Sequence, residues 1–391
     1  MRQYDALVIG AGYAGAVSAR RLAEDGRKTV LVLERRDHVG GNAYDCLDDA
    51  GILIHKYGPH IFHTNDKRVF DYLSRFTWWR DYRHKVVANI PDENGEPHQR
   101  LQYPVPFNLT SLETAFGEAE GRRLGDKLIA AYGAEKKVTI LELRQNPDPE
   151  IASIADYVYE HVFVHYTMKQ WGQTPEEIDP ATTARVPVFL SRDDRYFQDA
   201  YQGMPLDGYT PMFEKMLNHP NITVELGVDA LKRLELADGT VKLDGEAFDG
   251  PVIYTGQADE LFGFRFGPLP YRTLDFRFDT LERDFFQTHG TVNYTVDKGF
   301  TRITEFKRLT GQEKPGVTTI MYEYSRAYTG GSGEIPYYAI INPENNALYA
   351  KYAGLAAQYP NLHLLGRLAE YKYYNMDAIA ARALALADEL L

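Results

Sequence analysis

The sequence predicts an α/β protein: a parallel-sheet, nucleotide-binding domain made of discontinuous pieces, an inserted helical domain, and a twisted antiparallel β-sheet domain. Three observations carry this expectation. Residues 4–42 read as strand, glycine turn, helix, strand and acid in order. Residues 110–170 shift to a helical apolar period broken by glycines and prolines. Residues 271–341 alternate apolar and polar positions over several short runs.

The first stretch opens with a short apolar run at residues 6–9, the pattern of a strand buried on both faces. Gly10, Gly12 and Gly15 follow, then a helical pattern to Glu24, a stop at Gly26, and a second apolar strand that ends on Glu34. The first glycine makes the turn, the second admits a pyrophosphate to the backbone, and the third lets helix and strand pack. Glu34 can accept hydrogen bonds from adenosine ribose hydroxyls, and the helix N-terminus faces the diphosphate. Arg35, Arg36, Gly40, Gly41 and Asn42 come directly behind the acid. A basic residue, a spacer and a glycine pair there follow the pattern of FAD-binding flavoproteins, so the first unit reads as a Rossmann-like FAD-binding domain. A surface turn with a solvated arginine pair is the plainer alternative.

Composition narrows the rest. Hydrophobic residues make up 44% and charged residues 25% of a 391-residue chain, ordinary usage for a globular protein large enough for more than one domain. Cys46 is the single cysteine, which excludes an intramolecular disulfide and a cysteine metal cluster. No apolar run reaches membrane-spanning length and Met1 leads straight into the first strand, so a cytoplasmic location is expected. The net charge of -12 argues against nucleic acid as a partner, though not against an anionic small substrate. The 28 tyrosines suit a pocket needing hydroxyls and flat rings together.

Further along, Gly58-Pro59 turns His60, Ile61 and His63 toward one side; no third ligand stands at metal-binding spacing, so no metal is expected. Residues 66–76 read as a helix, 84–90 and 101–105 as strands. The helical stretch runs into His165-Tyr-Thr-Met-Lys-Gln-Trp171, and an aperiodic, proline-punctuated segment follows, which is expected to be a lid or binding loop. Residues 222–226 and 241–244 read as strands flanking a turn at Asp238-Gly239, and residues 252–256 as a strand returning to the first sheet. Gly330-Gly331-Ser332-Gly333 lacks a strand-helix context and reads as a hairpin turn. A last strand at residues 362–365, a glycine and a C-terminal helix bring the chain back to the nucleotide domain. The expected division is residues 1–83, 218–262 and 345–391 for the FAD domain, and 106–170 for the helical insert. The antiparallel sheet takes 84–105, 186–217 and 263–344, with a mobile lid at 171–186.

Gly-Pro-His-Ile-Phe-His-Thr (58–64), Tyr-Thr-x-Lys-Gln-Trp (166–171), Thr-Ala-Arg-x-Pro (183–187), Arg-Tyr-Phe (195–197), Thr-Arg-Ile-x-Glu (301–305), Pro-Tyr-Tyr (336–338) and Gly-Arg-Leu-x-x-Tyr-x-Tyr (366–373) resemble the prokaryotic UDP-galactopyranose mutases. The resemblance implies a redox-neutral isomerisation of UDP-galactopyranose to UDP-galactofuranose, a precursor of bacterial surface polysaccharide. FAD would be active only when reduced, with its N5 as the nucleophile. It implies Arg185 and Arg302 on the diphosphate, Tyr196, Tyr338 and Tyr373 bonded to phosphate oxygens, and His63 near the flavin. Tyr166 and Thr167 would meet the uracil, Phe163 would form the uridine wall beside Val162, and Trp171 would cover the substrate. His84 and Asn293 would lie near the sugar. Flavin contacts would come from Gly10, Gly12, Tyr13, Ala14, Gly15, Glu34, Arg35, Gly41, Asn42, His60, Ile61, Val228 and Arg367, and from Tyr374, Asn375, Met376, Asp377 and Ile379. A homodimer and a separate flavin reductant are implied as partners. Two other classes stay open on the residues alone: an amine-oxidase-like flavin oxidoreductase, and a nucleotide-sugar binding protein without catalysis.

Overall fold

The computed structural model describes residues 4–92, 96, 98–172 and 187–391. Five parallel strands form its nucleotide-binding layer, in the order Ile222–Leu226, Val30–Glu34, Ala6–Ile9, Val252–Tyr254, Leu362–Leu364. The central strands are buried along their whole length, as their unbroken apolar runs require. Helix Tyr13–Glu24 starts directly behind Gly12. A Cβ on Gly15 would stand 1.8 Å from the Gly10 carbonyl oxygen, so glycine there lets the helix lie against the first strand. The C-terminal helix Met376–Leu390 shares this core through Ala380, Ala383 and Leu384.

The stretch expected to be helical holds helices Leu109–Phe116, Glu118–Tyr132, Ile140–Arg144, Pro149–Val158 and His165–Trp171, with a π-helical turn at Tyr159–Val164. Asn108 and Ser111 close a capping box at the first of them. The expectation misses one element: Lys137–Thr139 is a strand paired with Pro187–Phe189. Three residues are too few for alternation to show.

A seven-stranded sheet makes the third layer, ordered Tyr338–Ala339, Tyr271–Leu281, Thr318–Ala327, Arg302–Glu305, Thr291–Asn293, Val86–Pro91, Arg100–Val105. Its pairings are antiparallel except for Thr291–Asn293 against Val86–Pro91, which run parallel. Register places Arg302 beside Asn293 on one side and beside Glu323 on the other.

Two turn expectations are corrected. Asp238-Gly239 joins Leu234–Ala237 to Thr240–Leu243, a small sheet of its own, whereas Ile222–Leu226 belongs to the parallel sheet. Residues 330–333 do not close a hairpin. Thr318–Ala327 and Tyr338–Ala339 pair with opposite edges of the same strand, Tyr271–Leu281, so the intervening loop crosses that strand's end. Among the described residues no helix is long and apolar enough to cross a membrane.

Candidate active site

A cavity of about 640 Å³ opens at the C-terminal ends of the parallel strands, the position where open α/β sheets bind ligands. Its floor is the first glycine turn. Gly10, at φ +102°, donates its N–H to the Leu33 carbonyl. A Cβ on Gly41 would stand 3.0 Å from the Gly12 Cα, so the two glycine turns touch with no room for side chains. Glu34 is buried, and its carboxylate accepts the N–H groups of Ala11 at 2.7 Å and Arg36 at 2.9 Å. Both oxygens keep lone pairs for further donors.

The two arginines behind Glu34 differ. Arg35 is tied to Asp229 and Glu260, at 3.3 and 3.0 Å. Arg36 donates to Asn42 Oδ1 at 2.8 Å, lies 4.3 Å over the Tyr57 ring, and buries its Nη1 without a partner. A buried guanidinium N–H lacking an acceptor, beside a glycine cradle and a ribose-type acid, fits the diphosphate of a dinucleotide. The sequence reading named Arg35 and missed Arg36. Both line the cavity, but the strand ends at Glu34, so no strand alternation marked Arg36 in the sequence.

At the far wall of the cavity stand His60, Arg367, Tyr374, Met376 and Ile379. His60 Nδ1 lies 2.8 Å from the Gly58 carbonyl, which can only accept, so Nδ1 carries the proton and Nε2 is an acceptor. Burial, helped by His55, pulls its pKa down to about 3. Arg367 donates to the Tyr374 carbonyl and lies 4.8 Å over Tyr373 and 5.5 Å over Tyr338, whose rings stack on one another.

These tyrosines lead to a second polar cluster. Arg302 meets the fully buried Glu323 through Nε at 2.9 Å and Nη2 at 2.8 Å. Burial disfavours the Arg302 charge, but the Glu323 carboxylate outweighs it and holds the guanidinium protonated. Half-buried Tyr166 feels Arg302, Tyr196 and Tyr338, so the four share one electrostatic neighbourhood. His84 is buried there too, its ring edge-on to Tyr196 at 5.7 Å. Burial, with Arg302 and His63 adding, pulls its pKa down to about 3. Asn293, across the strand pair from Arg302, buries an Oδ1 with no partner.

A cation held by a buried carboxylate, ringed by tyrosines and joined through Arg367 to a dinucleotide cavity, suits a nucleotide diphosphate placed against a cofactor. Comparison with known proteins gives the family. The family profile of UDP-galactopyranose mutase matches residues 161–373, and that of an NAD(P)-binding Rossmann-like domain matches residues 8–76. A probable UDP-galactopyranose mutase of Klebsiella pneumoniae is 36% identical over 395 residues, covering 100% of this chain and 96% of the relative. The chain belongs to the UDP-galactopyranose mutase family. A dTDP-fucopyranose mutase of Escherichia coli is 35% identical over 383 residues, 97% of each chain. A crystal structure of reduced UDP-galactopyranose mutase shares the fold, at TM-score 0.73 and 16% identity over 100% of this chain and 94% of that one.

Within this mutase-family fold, most of the cofactor residues named from sequence line the one cavity, from Gly10, Gly12, Tyr13 and Ala14 to Val228, Arg367 and Ile379. Gly15, Ile61, Asn375 and Asp377 are not on its wall. Gly15 serves helix packing, Ile61 packs on the core, and Asn375 and Asp377 stand at the start of the last helix. His63 is also off the wall; its ring stacks on Phe197 at 3.6 Å and its Nδ1 meets Asp199 at 3.0 Å. Phe163 and Thr167 are buried on the helical side, Phe163 packed with Val162 and Tyr159. Arg185 and the Trp171 side chain lie outside the described residues. Glu323 and Asp199, which fix Arg302 and His63, were not found from sequence; for Glu323 the signal exists only once the register is known.

Proposed function

We propose that this mutase-family enzyme interconverts UDP-galactopyranose and UDP-galactofuranose without net redox change, with FAD held in the glycine-lined cavity and reduced during turnover. The observation that carries the reading is the continuous set from Arg302 through Tyr338 and Tyr373 to Arg367, which adjoins a diphosphate-binding cluster to the wall of the cofactor cavity. The reduced flavin supplies a nucleophilic N5 for the anomeric carbon, so no side chain has to form the covalent bond.

The residues bind, orient and neutralise. Arg302 meets the departing diphosphate; a cation–phosphate contact at 4 Å is worth about 4 kcal/mol at an effective dielectric of 20, before desolvation and the opposing Glu323 are subtracted. Arg185 supplies the second cation of the pair. Tyr166, Tyr196, Tyr338 and Tyr373 offer hydroxyls to phosphate oxygens and ring faces to the uracil side, where Thr167, Phe163 and Trp171 complete the nucleoside pocket. His84 and Asn293 face the sugar as neutral hydrogen-bonding groups; His84 stays uncharged at neutral pH, so it adds no repulsion to Arg302. Asp199 accepts the Nδ1 proton of a neutral His63 and leaves Nε2 as an acceptor. A cytoplasmic homodimer fed by a separate reductant completes the reading; the mass in solution checks the dimer.

The test is to incubate UDP-galactofuranose with dithionite-reduced and with oxidised protein, with dTDP-fucofuranose in parallel. Conversion of the UDP-sugar only when reduced, with the flavin still reduced afterwards, is the expected result. Flavin oxidised in step with product would make the protein an oxidoreductase. Binding without conversion would make it a carrier, and preference for the dTDP-sugar would move the substrate to the other branch of the family.

A further inference from the structure

The glycine-rich stretch at residues 330–333 has no place in the diphosphate chemistry, yet it lies on the cofactor cavity. Gly330, Gly331, Gly333, Ile335 and Pro336 line the same cavity as Gly12, Glu34 and Gly41, although they belong to a loop between two strands of the seven-stranded sheet. Both ends of this loop are pinned to neighbouring residues of one strand: the Tyr328 N–H donates to the Tyr271 carbonyl at 3.0 Å, and the Tyr337 N–H to the Arg272 carbonyl at 2.8 Å.

Inside the loop, Glu334 acts as a fastening. Its carboxylate accepts the N–H groups of Thr329 at 2.8 Å and Gly331 at 3.2 Å, accepts the Thr329 hydroxyl at 3.1 Å, and pairs with Arg326 on the adjoining strand. Arg326 is itself held by Asp275 at 2.6 Å. A carboxylate that gathers two backbone N–H groups, a hydroxyl and a guanidinium fixes the path of a loop that otherwise carries three glycines.

The loop reaches across the cavity at two levels. At one end the Tyr328 hydroxyl donates to Gln257 Oε1 at 3.3 Å, and Tyr328 feels Glu260, the acid that holds Arg35. That is the ribose side, marked by Glu34. At the other end Tyr337 is buried with its hydroxyl unpartnered, in the field of Arg36, whose Nη1 is also unpartnered. Arg36 lines the cavity, and its orphaned N–H calls for a ligand with acceptor oxygens at the level of the diphosphate.

We propose that residues 328–337 form a retaining arm over the adenosine diphosphate half of the cofactor, latched by Glu334. The inference rests on the FAD reading above and deepens it: the cofactor is clasped between the N-terminal glycine turns and an arm from a distant sheet. Glu334 and Arg326 are positioning residues.

The test uses the FAD-loaded protein, following the rise of free FAD fluorescence after dilution, and the ligand-free protein titrated with ADP. Glu334→Ala should release FAD about tenfold faster, and weaken ADP by a similar factor, because loosening a bound loop acts mainly on the off-rate. Arg326→Met reaches the latch from an exposed side chain outside the loop and should give a smaller change in the same direction, so a folding defect confined to Glu334→Ala cannot mimic the result. Unchanged release in both variants overturns the arm. Faster FAD release with unaltered ADP affinity overturns it too, since the hold would then lie on the flavin half. Wild-type protein that takes up ADP but not FAD would sink the cofactor reading alone, and a loss of ADP affinity in the variants would still support the arm.

Discussion

The two ends of the site treat positive charge in opposite ways. At the dinucleotide end, Arg36 keeps a buried N–H with no acceptor, and of the acids on the surrounding wall Asp229 and Glu260 are taken by Arg35 and Glu334 by Arg326, while Glu34 accepts backbone N–H groups. At the sugar-diphosphate end, Arg302 is mated to a carboxylate with no solvent exposure, and the groups around it are neutral: Tyr166, Tyr196, Tyr338 and an uncharged His84. Both ends are suited to a diphosphate; among the described residues, Arg302 meets a carboxylate whereas Arg36 keeps an N–H without any acceptor. The difference matches residence time. A cofactor is bound once, so unopposed attraction is useful; a product must leave at every turnover, so part of the attraction is cancelled beforehand. Coulomb energy falls with each opposing charge at a few ångströms, and Glu323 supplies such a charge.

The sharpest way to break this contrast is to remove each cation in turn. Arg302→Ala should lower turnover of the reduced enzyme by about 10²- to 10³-fold, as expected for loss of a preorganised group at developing phosphate charge. The protein should stay yellow, because Arg302 is not on the cofactor wall. Steady-state rates with reduced protein check this, and a variant with near-normal kcat removes Arg302 from the diphosphate. Arg36→Met should do the reverse, with a smaller effect: FAD affinity about tenfold weaker, the cost of one charge-assisted phosphate contact. Arg35→Met is the control. Arg35 is already shared between Asp229 and Glu260, and its loss should change FAD affinity less than that of Arg36. Equal effects of the two variants would mean that the unpartnered Nη1 of Arg36 does not mark the anion.

Glu323→Gln tests the cancelling charge directly. The amide keeps the shape and one acceptor while removing the opposing charge, so UDP should bind up to about tenfold more tightly, with kcat reduced through slower product release. Competition by UDP in the reduced-enzyme assay gives the number. Weaker UDP binding would mean that Glu323 serves only to aim the guanidinium, and that charge balance is not what separates the two ends.

What was legible in the sequence follows the distance over which each contact forms. The glycine cradle, Glu34 and the helix behind them lie within one strand-turn-helix-strand unit, and local pattern was enough to place them. The returning strands Val252–Tyr254 and Leu362–Leu364 were legible as short apolar runs closing on glycine. Glu323 was not, because nothing near it in the chain points to Arg302; the pair exists only through the register of two antiparallel strands. The loop over the cofactor cavity was misread as a hairpin for the same reason, since its two flanking strands meet opposite edges of a third. Arg35 and Arg36 show the limit at a single step: both line the cavity, but only the fold shows that Asp229 and Glu260, far along the chain, take up the charge of one and not the other. Family motifs named Tyr338, Tyr373 and Arg367 one by one. Their stacking into a path between the two ends came only from the fold.

The neutral histidine at the sugar end gives the smallest effect and the cleanest sign. His84 has its pKa depressed from an ordinary value of 6.5 to about 3 by burial, with Arg302 and His63 adding to it. Above pH 6.5 the ring is neutral whether the chain is folded or not. As pH falls below 6.5 the unfolded chain takes up a proton that the folded protein refuses, so stability is lost progressively until pH approaches 3. Between pH 6.5 and 5.5 that loss amounts to about 1 kcal/mol from this residue. His60 and His55, depressed to about 3 and about 4, slope in the same direction, so the wild-type protein should lose thermal stability steeply over this range. His84→Gln keeps a neutral hydrogen-bonding side chain and should flatten the dependence by one proton's worth. Urea midpoints at pH 6.5 and 5.5 for the two proteins measure it. An unchanged slope would mean that His84 accepts its proton in the fold, leaving two cations side by side at the sugar end. The contrast between a charged cofactor end and a balanced substrate end would then fail at a buried residue of the substrate end.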